Sequence, residues 1–271
     1  KTISNNLRCS GMNIPMFQVN AFTGDGLLGN PAAVCLLDAW LDDRALQTIA
    51  TENNVSETAF LVGSDAEYEL RWFTPRIEVD LCGHATLASG FVVFSSLSTD
   101  LSHVTFKTAS GVLRVKKFGD LLSLNFPSRP PEKTVSSAIL TDGLGVVPNE
   151  VLKSRDILAV FENEAQVQNM KPDLHLLAQV QDVLGIIVTA PGRSVDFVSR
   201  FFSPNAGIPE DPVTGSAHCM LVPYWAARLG KTTLHAQQLS DRGGELFCED
   251  KGKRVTIAGR AMLHSTREIE H

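Results

Sequence analysis

The stretch Leu81-Cys82-Gly83-His84-Ala85-Thr86-Leu87 returns half a chain later as Val213-Thr214-Gly215-Ser216-Ala217-His218-Cys219. Each is a small polar residue, a glycine, a hydrogen-bonding residue and an alanine, followed by an apolar run. The flanks repeat too. Arg71-Trp72-Phe73-Thr74-Pro75 precedes the first copy and Arg200-Phe201-Phe202-Ser203-Pro204 the second, with Asp80 and Asp211 just ahead of the glycines. The arginines stand 129 residues apart and the glycines 132. A matched pair at nearly constant offset predicts two related half-domains.

Each copy reads as a strand, a turn and a buried helix. Leu87 to Phe94 is apolar nearly all round, and so is Cys219 to Ala227, where Pro223 predicts a kink. A glycine in the first helical turn lets a ligand reach the backbone. The first amides of a helix have no internal partner, and the dipole is positive there. Such an end binds carboxylates and phosphates. Two ends facing across a cleft would hold a small acid from both sides. Two ordinary buried helices packed on small residues is the plainer alternative, and the doubling of the motif weighs against it.

With 271 residues the chain fits two domains of about 130 residues. The expected halves are 14–127 and 128–253, parted at Pro127-Ser128-Arg129-Pro130-Pro131, with a last strand from about 254 to 271 returning to the first half. Residues 1–13 are polar and read as a flexible arm, and Met12 is a possible natural start. Hydrophobic residues make up 44% and charged residues 20%, a globular composition. No apolar run reaches the roughly 18 residues of a membrane span. A net charge of −6 disfavours nucleic acid as a partner. Five widely spaced cysteines with no CxxC argue against a disulfide framework and a zinc site, and fit reduced cytoplasmic thiols.

Three residues are candidates for proton chemistry. Glu57 sits between Ser56 and Thr58 in an otherwise apolar strand. A carboxylate there is costly unless it is hydrogen-bonded, used, or turned to water at the strand edge. His84 follows Gly83 at a helix start, where the dipole favours the neutral imidazole. Asp211 either caps the second helix or takes part in catalysis. Asn163 to Gln168 reads as a turn and Asp173 to Gln181 as a helix. No phosphate loop, dinucleotide fingerprint or metal-ligand cluster is present, which predicts chemistry without cofactor or metal.

A wider set of motifs carries a family resemblance. Ala21-Phe22-Thr23, Gly29-Asn30-Pro31-Ala32-Ala33-Val34, Ser56-Glu57-Thr58-Ala59-Phe60, Cys82-Gly83-His84-Ala85-Thr86 and Glu210-Asp211-Pro212-Val213-Thr214-Gly215-Ser216-Ala217 occur in order over residues 14–264. Together they resemble the PhzF family of phenazine-biosynthesis-like proteins, in the diaminopimelate epimerase superfamily. The resemblance implies an α+β fold of two pseudo-symmetric halves, each a curled, mostly antiparallel sheet around a central helix, with the active site between them. It also implies a homodimer. In the family's phenazine enzyme a glutamate shuttles a proton within dihydro-hydroxyanthranilic acid. By motif that glutamate is Glu57, aided by Gly83, His84, Asp211, Gly215 and Ser216. The related epimerases carry a cysteine at each helix start, whereas here Cys82 stands at the first and Thr214 at the second.

The resemblance therefore implies a cofactor-independent isomerase of a small carboxylic acid. Two alternatives stand beside it: a racemase or epimerase using Cys82, whose thiol a helix start would acidify, and a binding or scaffold protein without turnover.

Overall fold

The computed structural model describes residues 13–270 of the chain. The first half runs β1 (Asn13–Thr23), β2 (Asn30–Leu37), α1 (Asp43–Asn53), β3 (Glu57–Ser64), β4 (Glu67–Phe73), β5 (Glu78–Val79), α2 (Gly83–Val92), β6 (His103–Thr108), β7 (Gly111–Phe118) and β8 (Leu121–Pro127). The second runs β9 (Glu132–Lys133), α3 (Ala138–Leu144), β10 (Glu150–Lys153), β11 (Ile157–Val160), α4 (Glu164–Gln168) and α5 (Leu174–Leu177). It continues through β12 (Ile186–Pro191), β13 (Phe197–Phe202), α6 (Gly215–Leu229), β14 (Thr233–Gln238) and β15 (Gly244–Asp250). The chain then closes with β16 (Arg254–Glu270).

One sheet threads both halves in the order β1-β2-β3-β4-β6-β7-β8-β16-β15-β14-β13-β12-β11-β10-β9. β16 also pairs antiparallel with β1, which closes the first half into a ring around α2. Arg254–Gly259 of the same strand lies against β8, and Val255–Ala258 against β15. A single long strand is thus the seam between the halves.

The internal repeat has a topological form. β2 and β3 are parallel and joined through α1, while β4 and β6 are parallel and joined through α2. β11 and β12 are likewise parallel across α4 and α5, and β13 and β14 across α6. Parallel neighbours need such crossovers, so each helix is pressed onto the sheet it links. α2 and α6 share one continuous apolar core that spans both halves, with smaller cores beneath α1 and beneath α3 to α5.

Several local readings change in three dimensions. Asn163–Gln168 is a helical turn, because Asn163 caps it and Gln166 reaches back to the cap amide. The helix expected over Asp173–Gln181 stops at Leu177. α2 widens into a π-turn over Val93–Leu97. Pro223 stays inside α6. It cannot donate to the Cys219 carbonyl, and the Arg129 amide fills that place at 2.9 Å. The arm expected over residues 1–13, with Met12 and Cys9, lies outside the described residues except for Asn13, which opens β1.

Candidate functional site

The two glycines of the repeat meet. A Cβ built on Gly83 would lie 3.9 Å from the Gly215 Cα, and one on Gly215 would lie 3.9 Å from the Gly83 Cα. Phe126 backs Gly83 and Phe22 backs Gly215, each at ordinary contact distance. The two helix starts therefore converge on one place. The N-cap residues are Cys82 and Thr214, and neither side chain caps a backbone amide of its helix. The first amides are thus left without a side-chain cap.

A cavity of about 580 Å³ opens at this junction. Glu57, Cys82, Gly83 and His84 line it from the first half, and Asp211, Thr214, Gly215 and Ser216 from the second. All eight residues singled out from the sequence are in this wall.

Glu57 starts β3 and His84 stands in the first turn of α2. His84 Nε2 lies 3.0 Å from Glu57 Oε2, with both side chains largely buried. The atoms are close but misaligned, and neither has a hydrogen-bond partner among the described residues. On the other edge of the ring, Nδ1 is 3.6 Å from Cys82 Sγ. Burial works against the His84 imidazolium, but the Glu57 carboxylate beside Nε2 favours it. His84 is held well above the ordinary histidine range, which reverses the neutral ring expected from the helix dipole.

The thiol expectation is reversed as well. Burial and the nearby Glu57 carboxylate push the Cys82 thiol up, not down. Glu57, Cys82 and His84 place one donor atom each within 4.8 Å of one another. They do not converge on an ion, because Glu57 faces one ring nitrogen and Cys82 the other.

Asp211 is not a helix cap. Its Oδ2 accepts from Thr214 Oγ1 at 2.6 Å and its Oδ1 from Asn30 Nδ2 at 2.8 Å. Burial pushes its carboxyl up to about 6, with His84 opposing and Glu57 assisting. Asn30 also donates to the Val213 carbonyl and accepts from Ser56 Oγ. One buried asparagine therefore ties the Glu57 strand to the Asp211 loop of the other half. Gln238 mirrors it from β14, donating to the Asp211 carbonyl and accepting from the Thr214 amide. The sequence places Asn30 within a motif of the family resemblance but gives it no role, and nothing in it marks Gln238, since neither residue type signals a contact so distant in the chain.

The deciding observation is the match to a family model described as phenazine biosynthesis-like protein, over residues 19–267. The chain belongs to the PhzC-PhzF family. An uncharacterized isomerase of Pseudomonas aeruginosa is 51% identical over 253 residues, covering 93% of this chain and 97% of that one. The crystal structure of a PhzF family protein from Enterococcus faecalis superposes with a TM-score of 0.93 at 46% identity, covering 96% of this chain and all of that one. A hydroxyproline epimerase from Agrobacterium vitis gives a TM-score of 0.61 at 10% identity over 95% and 92% of the two chains, a likeness of fold alone. The architecture is the diaminopimelate epimerase-like α+β fold.

Within this PhzF fold the acidic residue matched between halves is not the one the sequence suggested. Arg71 holds Glu78 with Nε at 2.6 Å and Nη2 at 2.7 Å. Arg200 holds Glu210 in the same way, at 2.7 and 2.9 Å. Glu78 and Glu210 are the structural pair, and Asp211 has Val79 rather than Asp80 as its counterpart. Asp211 is thus peculiar to the second half.

Proposed function

We propose that the protein is an isomerase that moves a proton within a small carboxylic acid bound between the two helix starts. The observation that carries this reading is the Glu57–His84 contact at 3.0 Å inside the cavity, with both facing atoms buried and without a hydrogen-bond partner among the described residues. Unmet buried polar atoms are costly, and a bound substrate would relieve that cost. The naming of the P. aeruginosa relative as an isomerase supports the same class.

In this reading the Glu57 carboxylate takes a proton from a carbon next to an unsaturated system. The C–H bond breaks, its electron pair moves into the π system, and Glu57 returns the proton at another carbon of that system. His84 stays beside Glu57 as a positive group that steadies the carboxylate. Asp211, fixed by Asn30 and Thr214, faces the histidine from the second half. The homodimer expected of the family remains part of the proposal, and analytical ultracentrifugation tests it.

A thiol-dependent racemase is less well supported. The Cys82 sulfur is buried and held toward the neutral thiol. At the second helix start Thr214 is tied to Asp211, where a second thiol would be needed.

The test is deuterium incorporation from D2O into candidate unsaturated carboxylates. Glu57→Gln is expected to lower exchange about 10²- to 10⁴-fold. Full exchange in that variant would remove Glu57 from the chemistry. Undiminished turnover in Cys82→Ala is expected alongside.

A further inference from the structure

The cavity has a cation on its second-half wall to which the proton chemistry gives no role. Arg155 lies just before β11, its side chain 30% exposed and lining the cavity. Its Nη2 donates to Ser216 Oγ at 2.9 Å, and its Nε donates to Asp156 Oδ2 at 3.3 Å. Asp156 is fully buried, and its Oδ1 has no hydrogen-bond partner among the described residues. Ser216 is the second residue of α6, beside the uncapped first turn.

A guanidinium has five N–H donors in a rigid fork. Two are engaged by Asp156 and Ser216. Arg200 is a useful contrast, since its donors are taken by Glu210 and by the Val167 and Met170 carbonyls. It is closed, whereas Arg155 keeps donors at the cavity. Arg76 also lines the cavity but is exposed, with no ion-pair partner among the described residues. Arg155 alone joins a fixed orientation to open donors. The backbone holds it as well: the Ser154 amide donates to the Asp156 carbonyl and the Ile157 amide to the Gly185 carbonyl.

We infer that Arg155 is the anchor for the substrate's carboxylate, positioned by Asp156 and seconded by Ser216 and the first turn of α6. The substrate then enters in one orientation. Its carboxylate faces the second half and its reacting carbon faces Glu57. A fork of this kind suits a planar carboxylate, which accepts two parallel N–H bonds. Neutral analogues of the same shape leave the guanidinium unmet and are rejected. The inference rests on the reading of the site as one that takes a carboxylic acid.

Calorimetric titration with cyclohex-1-ene-1-carboxylate and with its neutral primary amide tests the anchor. The wild-type protein is expected to bind the acid at least about tenfold more tightly than the amide. Arg155→Gln is expected to weaken acid binding about 10- to 100-fold and to leave the amide unchanged. Arg155→Lys restores part of the loss, because the charge returns without the fork. Asp156→Asn gives a smaller loss, confined to affinity. Glu57→Gln retains acid binding. Thermal melts of each variant separate these effects from unfolding, and Arg155→Lys keeps the question decidable if Arg155→Gln does not fold.

The anchor is overturned if Arg155→Gln binds the acid as the wild type does. It is equally overturned if acid and amide bind alike, or if the wild-type protein binds neither. Loss of acid binding in Arg155→Gln without any solvent exchange by the wild type would uphold the anchor and remove the isomerase reading. Exchange that depends on Glu57 but not on Arg155 would do the reverse.

Discussion

The first half puts a histidine after its helix-start glycine, and the second half puts a serine there. His84 turns to Glu57, while Ser216 turns to Arg155. The strand register makes the contrast sharper. Arg71 pairs with Phe60 and Arg200 with Val188, so the counterpart of Glu57 is Gly185. The pairings Ala33↔Thr58 and Ile157↔Ile186 set Arg155 against Pro31 and Asp156 against Ala32. Two copies of one scaffold have thus diverged. One wall carries a carboxylate beside an imidazole and the other a cation held by a buried acid. Near-symmetric helix ends can grip an anion from either side, but only unlike side chains give it a direction.

The largest expected effect comes from breaking that asymmetry at the helix starts. His84→Gln should lower solvent exchange about 10²- to 10⁴-fold with little change in carboxylate affinity. Ser216→Ala should do the opposite, costing up to about tenfold in affinity and little in the chemical step. Single-turnover deuterium exchange and calorimetry on both variants separate the two. Equal effects on both measures would mean the halves are not specialised.

A second comparison concerns His84 and His218, one near the start of each central helix. His218 is fully buried, and its Nδ1 donates to the Thr214 carbonyl at 2.8 Å. In the first half Thr86 makes that same bond to the Cys82 carbonyl. Burial pushes His218 down to about 4. The unfolded chain therefore takes up a proton near 6.5 that the folded chain refuses until about 4. As pH falls through that window, stability should drop by about 3 kcal/mol from this group. His84, held high, behaves oppositely: its contribution is complete below the ordinary histidine value and is lost as pH rises through its folded value. Urea unfolding of His218→Asn should show a flatter acid limb than the wild type. An unchanged limb would mean His218 does not govern it.

The smallest expected effects lie in the twin arginine–glutamate pairs. The Arg71 side chain is 26% exposed against 39% for Glu78, whereas Arg200 is 11% against 23% for Glu210. Arg200 also serves two carbonyls. Arg200→Gln should cost about 2 kcal/mol or more, because it strands a half-buried carboxylate and two acceptors. Arg71→Gln should cost under about 1 kcal/mol. Chemical denaturation of the two variants side by side checks the ranking.

Much of this was legible before the coordinates. The repeat around Gly83 and Gly215 and the buried helices follow from patterns of residue type. Glu57 stood out because a lone carboxylate in an apolar strand demands a reason. Arg155 and Asp156 did not, since Asp156 reads as the first residue of a strand and neither belongs to a motif. Asn30 belonged to a family motif without an assigned role, and its bonds to Asp211 and Val213 reach 181 and 183 residues along the chain. The helix dipole alone predicts a neutral His84, and the Glu57 carboxylate, which only folding brings within 3.0 Å, favours the imidazolium instead.

By itself the sequence determined two kindred halves, two glycine-led helix starts and a glutamate out of keeping with its strand. These are local matters, set by spacing, hydrophobic period and the conformational freedom of glycine. Only the tertiary structure decided that the helix starts meet, that Asp211 is tethered across the seam, and that Arg155 and Glu57, from different halves, line one cavity. Protonation and orientation depend on what lies within a few ångströms, and those neighbours are chosen by the closing of the sheet.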